Sequence, residues 1–343
     1  MKDFSKILLK WYKIHKRPLP WRDTQDPYRI WISEIILQQT RVAQGYDYFL
    51  RFIQHFPNID SLASAPEDEV LKYWEGLGYY SRARNLHAAA KSMNGVFPST
   101  YEGVLSLKGV GEYTAAAICS FAYRMPYAVV DGNVYRVLSR LFGIHTPTDS
   151  TEGKKQIASL AQELLDKKYP DDHNQAIMDF GATQCVPQSP NCKVCPFVKR
   201  CKAYAAGEVE LLPIRTAKVQ TSNRYFTYIY VKSGSDTWLR RRPAGDIWQG
   251  LYELPMLETS KEMTVKELKK TDFWKKHFAR KSPRLVQGPV KHVLSHRVIY
   301  AWFYEVEVTA EKNLPEEFVK VPVKEVKKYA FPRLVQKFLA NQK

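Results

Sequence analysis

Residues 185–201 read CVPQSPNCKVCPFVKRC and set Cys185, Cys192, Cys195 and Cys201 in the spacing C-x6-C-x2-C-x5-C, four of the chain's five cysteines. Thiolates this close in sequence can converge on one centre, and no signal peptide precedes them to favour a disulfide framework. The tract holds no histidine, and its last arm is longer than the paired C-x2-C knuckles of a zinc ribbon. Its asymmetry, with Pro196 directly after Cys195, suits a [4Fe–4S] cubane. A structural zinc held by the same four thiolates is the competing reading. The tract follows a long helix-patterned region and stands at the end of a first domain.

Upstream of it, helical patterning runs from residue 1 to about 205, with breaks at Pro18-Leu19-Pro20, Pro57-Asn58, Phe97-Pro98 and Lys108-Gly109. FSKILLKWYKI (4–14) spaces Phe4, Ile7, Leu8 and Trp11 as a surface helix docked on the core. Downstream, AAGEVELLPIRTAKVQTSN mixes Gly, Pro and polar residues like a connector. The pattern then changes: RYFTYIYVK (224–232) and HRVIYAWFYEVEV (296–308) are rich in aromatic and β-branched residues, as strands are. The expected organisation is an all-α domain over 1–204, a linker over 205–222 and a smaller α+β domain over 223–343.

Lys and Arg outnumber Asp and Glu by 52 to 35, a formal charge of +17 that favours a polyanionic partner. No apolar stretch approaches the roughly 20 residues that span a bilayer, and the N-terminus has no cleavable apolar region. A monomeric cytoplasmic protein, nucleoid-associated in a bacterium and with no membrane partner, is the expectation.

Three motifs carry chemistry. In LKGVGEYTA (107–115), Gly109 and Gly111 permit a tight turn between helices, and the helix starting near Glu112 aims free N–H groups at an anion. In WISEIILQQT (31–40), Glu34 is one carboxylate among apolar neighbours, so its pKa should rise and fit it as a general acid. In VVDGNV (129–134), Asp131 precedes the apolar-periodic VYRVLSRLFGI as a helix N-cap, where N–H donors and the helix end should keep it ionised. Cys119, in the apolar helix after the hairpin, reads as core.

Together with the cysteine tract, LKGVGEYTA resembles the helix-hairpin-helix DNA glycosylases of the endonuclease III and MutY group, with Lys108 where proline is usual. LPWR (19–22) and WISEIILQQT narrow the resemblance to the MutY adenine glycosylases. It implies that Glu34 protonates N7 of adenine, and that Asp131, with Asn133 positioning groups around it, stabilises the oxocarbenium. Tyr113 stands where bifunctional relatives place a Schiff-base lysine, so the implied activity is monofunctional. Arg22 and Asp179 correspond to residues framing the adenine pocket, position 179 being Glu in many relatives. Gln38, Gln39 and Thr40 correspond to residues inserted near the lesion partner, and Tyr79 to an intercalating aromatic.

LRRRPAGDIWQGLYELP (239–255) resembles the nucleotide-recognition half of a Nudix domain, without the carboxylate array that would hold Mg²⁺ downstream of Gly250. His292-Val293-Leu294-Ser295-His296 resembles the F-S-H loop of MutY, with Leu294 in place of Phe. Ser295, flanked by Leu294 and His296, would accept a hydrogen bond from the N7–H that 8-oxoguanine has and guanine lacks. The implied partner is duplex DNA carrying 8-oxoG·A or G·A mispairs. Competing functions are an endonuclease III-like glycosylase/AP lyase for oxidised pyrimidines, a non-catalytic lesion-binding protein, and a nucleotide-pool pyrophosphatase.

Overall fold

Chemical stops divide the first two hundred residues into helices. In the computed structural model, which describes residues 3–216, 221–309 and 314–342, Asp26 accepts from the Tyr28 amide and Pro27 sits at the first helical position, starting Pro27–Leu37. Ser150 caps Thr151–Leu164, and Gly143 ends Gly132–Phe142 in the left-handed region. Helix Phe4–His15 lays Phe4, Leu8 and Trp11 into a core with Val134, Leu138, Phe180 and Phe197. The Trp11 and Phe180 rings meet edge to face at 5.0 Å. Pro27–Leu37 is buried almost all round, from Ile30 to Ile36, which is how a carboxylate on it loses its water.

The strand-rich half forms a four-stranded and a three-stranded sheet. Strands β1 (Ser222–Lys232), β2 (Asp236–Arg241), β3 (Tyr252–Glu253), β4 (Met256–Thr259), β5 (Arg284–Val293), β6 (Arg297–Glu307) and β7 (Phe318–Pro322) order as β4-β1-β6-β5 and β3-β2-β7. The central pair β1 and β6 is parallel, Phe226 opposite Ala301 and Tyr228 opposite Phe303. Period-two alternation gives the larger sheet two buried faces. Phe226, Tyr228, Ile299 and Phe303 join helix Arg333–Ala340 on one. Ile229, Val231, Trp302 and Tyr304 pack under helices Val265–Lys270 and Asp272–Phe278 on the other.

By backbone packing, Met1–Ser64 and Asn85–Ala217 form one unit, and Ala65–Arg84 joins Lys218–Lys343 in the second. The expected boundaries had kept 65–84 in the helical domain. Their polar groups explain the difference. Lys72 Nζ donates to the Tyr329 carbonyl at 2.9 Å, the Phe331 amide to Glu75 at 2.8 Å, and Arg84 to the Gln249 carbonyl at 2.7 Å. The expected linker also differs from a free tether. Leu212 is buried, its carbonyl accepts from Arg140 Nε at 3.0 Å, and the Ile214 carbonyl accepts from the Thr148 amide at 3.0 Å. Residues 217–220 of that linker lie outside the described residues. Among the described residues no helix is long and apolar enough to cross a membrane.

Candidate active site

Glu34 is 7% exposed and lines a cavity of about 70 Å³ with Trp21, Arg22, Leu37 and Met178, enough for a few waters. Burial pushes its carboxyl up to about 7. The hydroxyl of Tyr113 donates a hydrogen bond to it and opposes that rise, the charge of Asp131 adds to it, and the Arg22 guanidinium opposes it. The phenol itself is held well above its ordinary value by burial and by these two carboxylates, so it stays a neutral donor.

Asp131 caps helix Gly132–Phe142. Its Oδ1 accepts from the amides of Asn133 and Val134, both at 2.8 Å, and its Oδ2 from Asn133 Nδ2 at 2.7 Å. Asn133 is fixed in turn: its Oδ1 accepts from Arg136 Nη2 at 2.8 Å, and the same guanidinium donates to the carbonyls of Gly181 and Cys185. Only glycine fits at 181, since a Cβ there would lie 2.6 Å from Asn133 Cβ. The helix-end amides favour the charged form of Asp131, against its burial. Burial raises its pKa and outweighs the three hydrogen bonds that pull it down.

Asp179 is fully buried and does not face the cavity; it holds the arginines that do. Arg22 grips it bidentately, at 2.5 and 2.7 Å, and Arg17 adds its amide at 3.1 Å and its Nε at 2.8 Å. Although burial opposes ionisation, these donors keep the carboxyl below its ordinary value. Arg17 lines the same cavity, and nothing in its sequence neighbourhood marks it. Immediately after Asp179 the backbone makes a π-helical turn, Phe180–Gln184, leading to Cys185.

The hairpin of 107–115 starts helix Glu112–Tyr123 with Gly111 as its N-cap. Its two glycines differ. Gly109 has φ +85°, and a Cβ there would strike Asn85 at 2.8 Å, whereas Gly111 has ordinary extended backbone and open space where its side chain would be. Gln38 Nε2 donates to Thr114 Oγ1 at 3.2 Å, joining the end of helix Pro27–Leu37 to that next helix. Gln39 beside it is left-handed at φ 57°, a conformation an L side chain holds at a cost. Thr40 Oγ1 donates to the Gln38 carbonyl at 3.4 Å.

Cys185, Cys192, Cys195 and Cys201 border one cavity, with Arg140 and Phe180. Arg140 Nη1 donates to Cys185 Sγ at 3.5 Å. Among the described residues no three His, Cys, Asp or Glu side chains are grouped as around a single ion. The four thiols bordering this one space are the donor chemistry that an iron–sulfur cluster takes.

In the second unit a cleft of about 650 Å³ is lined by Tyr79, Arg84, Trp248, His292, Ser295 and Arg333. Leu294-Ser295-His296 forms the turn between β5 and β6, closed by the Leu294 amide donating to the Arg297 carbonyl at 2.8 Å. Ser295 and His296 are exposed, while Leu294 packs partly into the sheet core. Tyr79 is left-handed at φ 47°, about half exposed, and its hydroxyl shares a hydrogen bond with Ser295 Oγ. Arg82 stacks over the Tyr79 ring at 5.6 Å. Trp248, also left-handed at φ 59°, and Asp246, which Arg224 and neighbouring arginines hold down at about 2, complete the cleft. Both lie inside the quoted Nudix-like stretch, yet sequence alone does not mark them.

The HhH-GPD superfamily of base excision DNA repair proteins matches residues 32–167, and the NUDIX domain matches residues 227–341. The chain is 34% identical over 267 residues to the adenine DNA glycosylase of Buchnera aphidicola subsp. Acyrthosiphon pisum (strain APS), 76% of each chain. It is 44% identical over 222 residues to that of Homo sapiens, 61% of this chain and 41% of the human one. Among solved structures, a thermostable thymine-DNA glycosylase superposes with a TM-score of 0.56 at 31% identity, covering 60% of this chain and 96% of that one.

Proposed function

The chain belongs to the adenine DNA glycosylase family, and from that premise we propose that it binds duplex DNA and hydrolyses the N-glycosidic bond of adenine mispaired with 8-oxoguanine, or with guanine, without strand cleavage of its own. The observation that carries the reading is the buried Glu34 carboxyl, raised to about 7 at the wall of a small cavity and hydrogen-bonded by Tyr113. A carboxyl so tuned holds a proton near neutral pH and can give it up.

In this reading the cavity widens to take a flipped adenine beside Arg22, which Asp179 and Arg17 keep in place. Glu34 transfers its proton to N7. The C1′–N9 bond breaks with its electron pair moving to the base, and positive charge develops at C1′. Asp131, held by two amides and Asn133, supplies the facing carboxylate. Water then adds to C1′ and gives its proton to a carboxylate, leaving an abasic site. Position 113 offers a phenol in place of an amine, so no imine forms there.

The amides after Gly111, at the start of helix Glu112–Tyr123, would take a backbone phosphate. Gln38, Gln39, Thr40 and Tyr79 would occupy and wedge the opened duplex. Ser295, with His296 and Leu294 beside it, would read the N7–H of 8-oxoguanine, exchanging its bond with Tyr79 for one to the lesion. The four cysteines would hold a [4Fe–4S] cluster, whose contribution is to fix the loop carrying Lys193, Lys199 and Arg200 against DNA. A visible absorbance band that bleaches on oxidation distinguishes that cluster from colourless zinc.

The deciding experiment incubates the protein with end-labelled duplexes containing 8-oxoG·A, G·A, 8-oxoG·C or thymine glycol·A, and splits each sample with and without hot alkali. Alkali-dependent cleavage at adenine, fastest opposite 8-oxoG, is the expected result. Alkali-independent cleavage at thymine glycol would instead establish the glycosylase/lyase alternative.

A further inference from the structure

Between Lys261 and Arg284 the chain sets nine Lys and Arg against three acidic residues, a surplus of six out of the whole chain's +17. This stretch forms the helices Val265–Lys270 and Asp272–Phe278, anchored by Leu268, Trp274 and Phe278 packing against Trp302 and Tyr304. So anchored, they leave Lys266, Lys269, Lys270, Lys275, Lys276 and Arg280 exposed. Among the described residues none of these six pairs with a carboxylate; the ion pairs of the stretch lie elsewhere, Lys261 with Glu267 and Arg284 with Glu305. Lys269 Nζ donates to Ser282 Oγ at 3.4 Å, which ties the first helix to the end of the patch. Lysines in a last turn complement a helix dipole, but that need does not explain six exposed cations without a carboxylate partner on two short helices.

Strand alternation places this patch. The helices cover the Ile229, Val231, Trp302 and Tyr304 face of the large sheet, whereas Ile247, Trp248 and Leu294 of the cleft pack with the Phe226, Tyr228 and Phe303 face. Patch and cleft therefore lie on opposite faces of one sheet.

We propose that helices Val265–Lys270 and Asp272–Phe278 form a second binding site for duplex DNA, which grips the sugar-phosphate backbone of a segment other than the one in the cleft. Its contacts are lysine to phosphate and independent of sequence. Holding two segments at once lets the protein pass directly from one duplex to another without a free intermediate. The inference goes beyond adenine excision and rests on the proposed reading only in that the cleft holds the first segment.

The test loads the full chain onto a labelled undamaged duplex and chases with increasing unlabelled duplex. The dissociation rate is expected to rise in proportion to the competitor. In Lys269→Gln/Lys270→Gln/Lys275→Gln/Lys276→Gln it becomes flat, and the log–log salt slope of the competitor-driven rate changes by about 3.6, at about 0.9 per phosphate contact. If melting reveals that this variant is unfolded, Lys275→Gln/Lys276→Gln should still lose about half of the dependence. A rate independent of competitor in the unaltered protein, or unchanged dependence in the variants, overturns the proposal. So does an equal loss in Lys154→Gln/Lys155→Gln, exposed on helix Thr151–Leu164, which would assign the effect to overall charge. Patch-dependent binding to phosphatidylglycerol vesicles with no patch-dependent transfer on DNA would assign the surface to membranes instead.

Discussion

The cavity around Glu34 and the cleft around Ser295 treat polar groups in opposite ways. At Glu34 the carboxyl is nearly dry, flanked by a second buried carboxylate and backed by an Arg–Asp–Arg clamp. At Ser295 the hydroxyl is exposed, its partner Tyr79 is about half exposed, and the surrounding space is roughly ninefold larger, about 650 against about 70 Å³. Under the proposed function, the contrast would follow from the work of each. Moving a proton to a base requires a shifted pKa, which burial chiefly supplies here. Telling 8-oxoguanine from guanine requires a hydrogen-bonding group that can exchange partners, which burial would prevent. Interference should therefore be costly in the first region and mild in the second.

Glu34→Gln should have the largest effect, removing the transferable proton and lowering single-turnover adenine release by roughly 10²–10⁴-fold, measured by alkali cleavage of an 8-oxoG·A duplex. Retained activity would sink the assignment of the acid. Arg22→Met comes next: it takes the bidentate partner from a fully buried carboxylate and should lower unfolding free energy by about 3 kcal/mol, read from urea melts.

The third prediction has the opposite sign. The folded protein holds a proton on Glu34 that the unfolded chain releases, because the group rises from 4.5 to about 7 on folding. Its contribution to stability is complete below 4.5 and is lost as pH rises through about 7, so charging it costs about 3 kcal/mol at higher pH. Glu34→Gln should thus be more stable than the unaltered protein at pH 8 and show no such gain near pH 4, in paired thermal melts. Excision by the unaltered protein should fall with pH above about 7 for the same reason. Ser295→Ala is the smallest change. One exposed hydrogen bond is worth about 0.5–1.5 kcal/mol, so the preference for 8-oxoG·A over G·A should shrink by only about 2–10-fold in competing-substrate assays. A larger loss would mean that the cleft is more closed in use than the contrast implies.

The carboxylates at 34 and 131 were legible in sequence because local pattern carries them: an acid inside an unbroken apolar helix, and an Asp-Gly-Asn cap ahead of a periodic run. The strands at 222–232 and 297–307 were legible for the same reason, from β-branched and aromatic runs. What local pattern does not encode is who lies opposite. Arg17 reads as one basic residue among several, and only the fold brings it to Asp179. Gly181 looks like any helix-end glycine until Asn133 is found against it. Residues 65–84 carry ordinary helical spacing, and their grouping with the second unit rests on carbonyls more than 160 residues away, at Gln249, Tyr329 and Phe331. Sequence shows the cap of Asp131 but not the desolvation that raises its pKa.

The Arg22–Asp179 clamp also bears on how the protein comes into being. Its partners are 157 residues apart, so closing it is among the longest-range events in the helical unit. A chain emerging from the ribosome has both carboxylates, Glu34 and Asp131, well before it has Asp179. Until that last residue arrives, the carboxylate that grips both arginines is missing. Excision competence should be gained in one late step of synthesis, when the end of helix Pro170–Asp179 is at last free to fold.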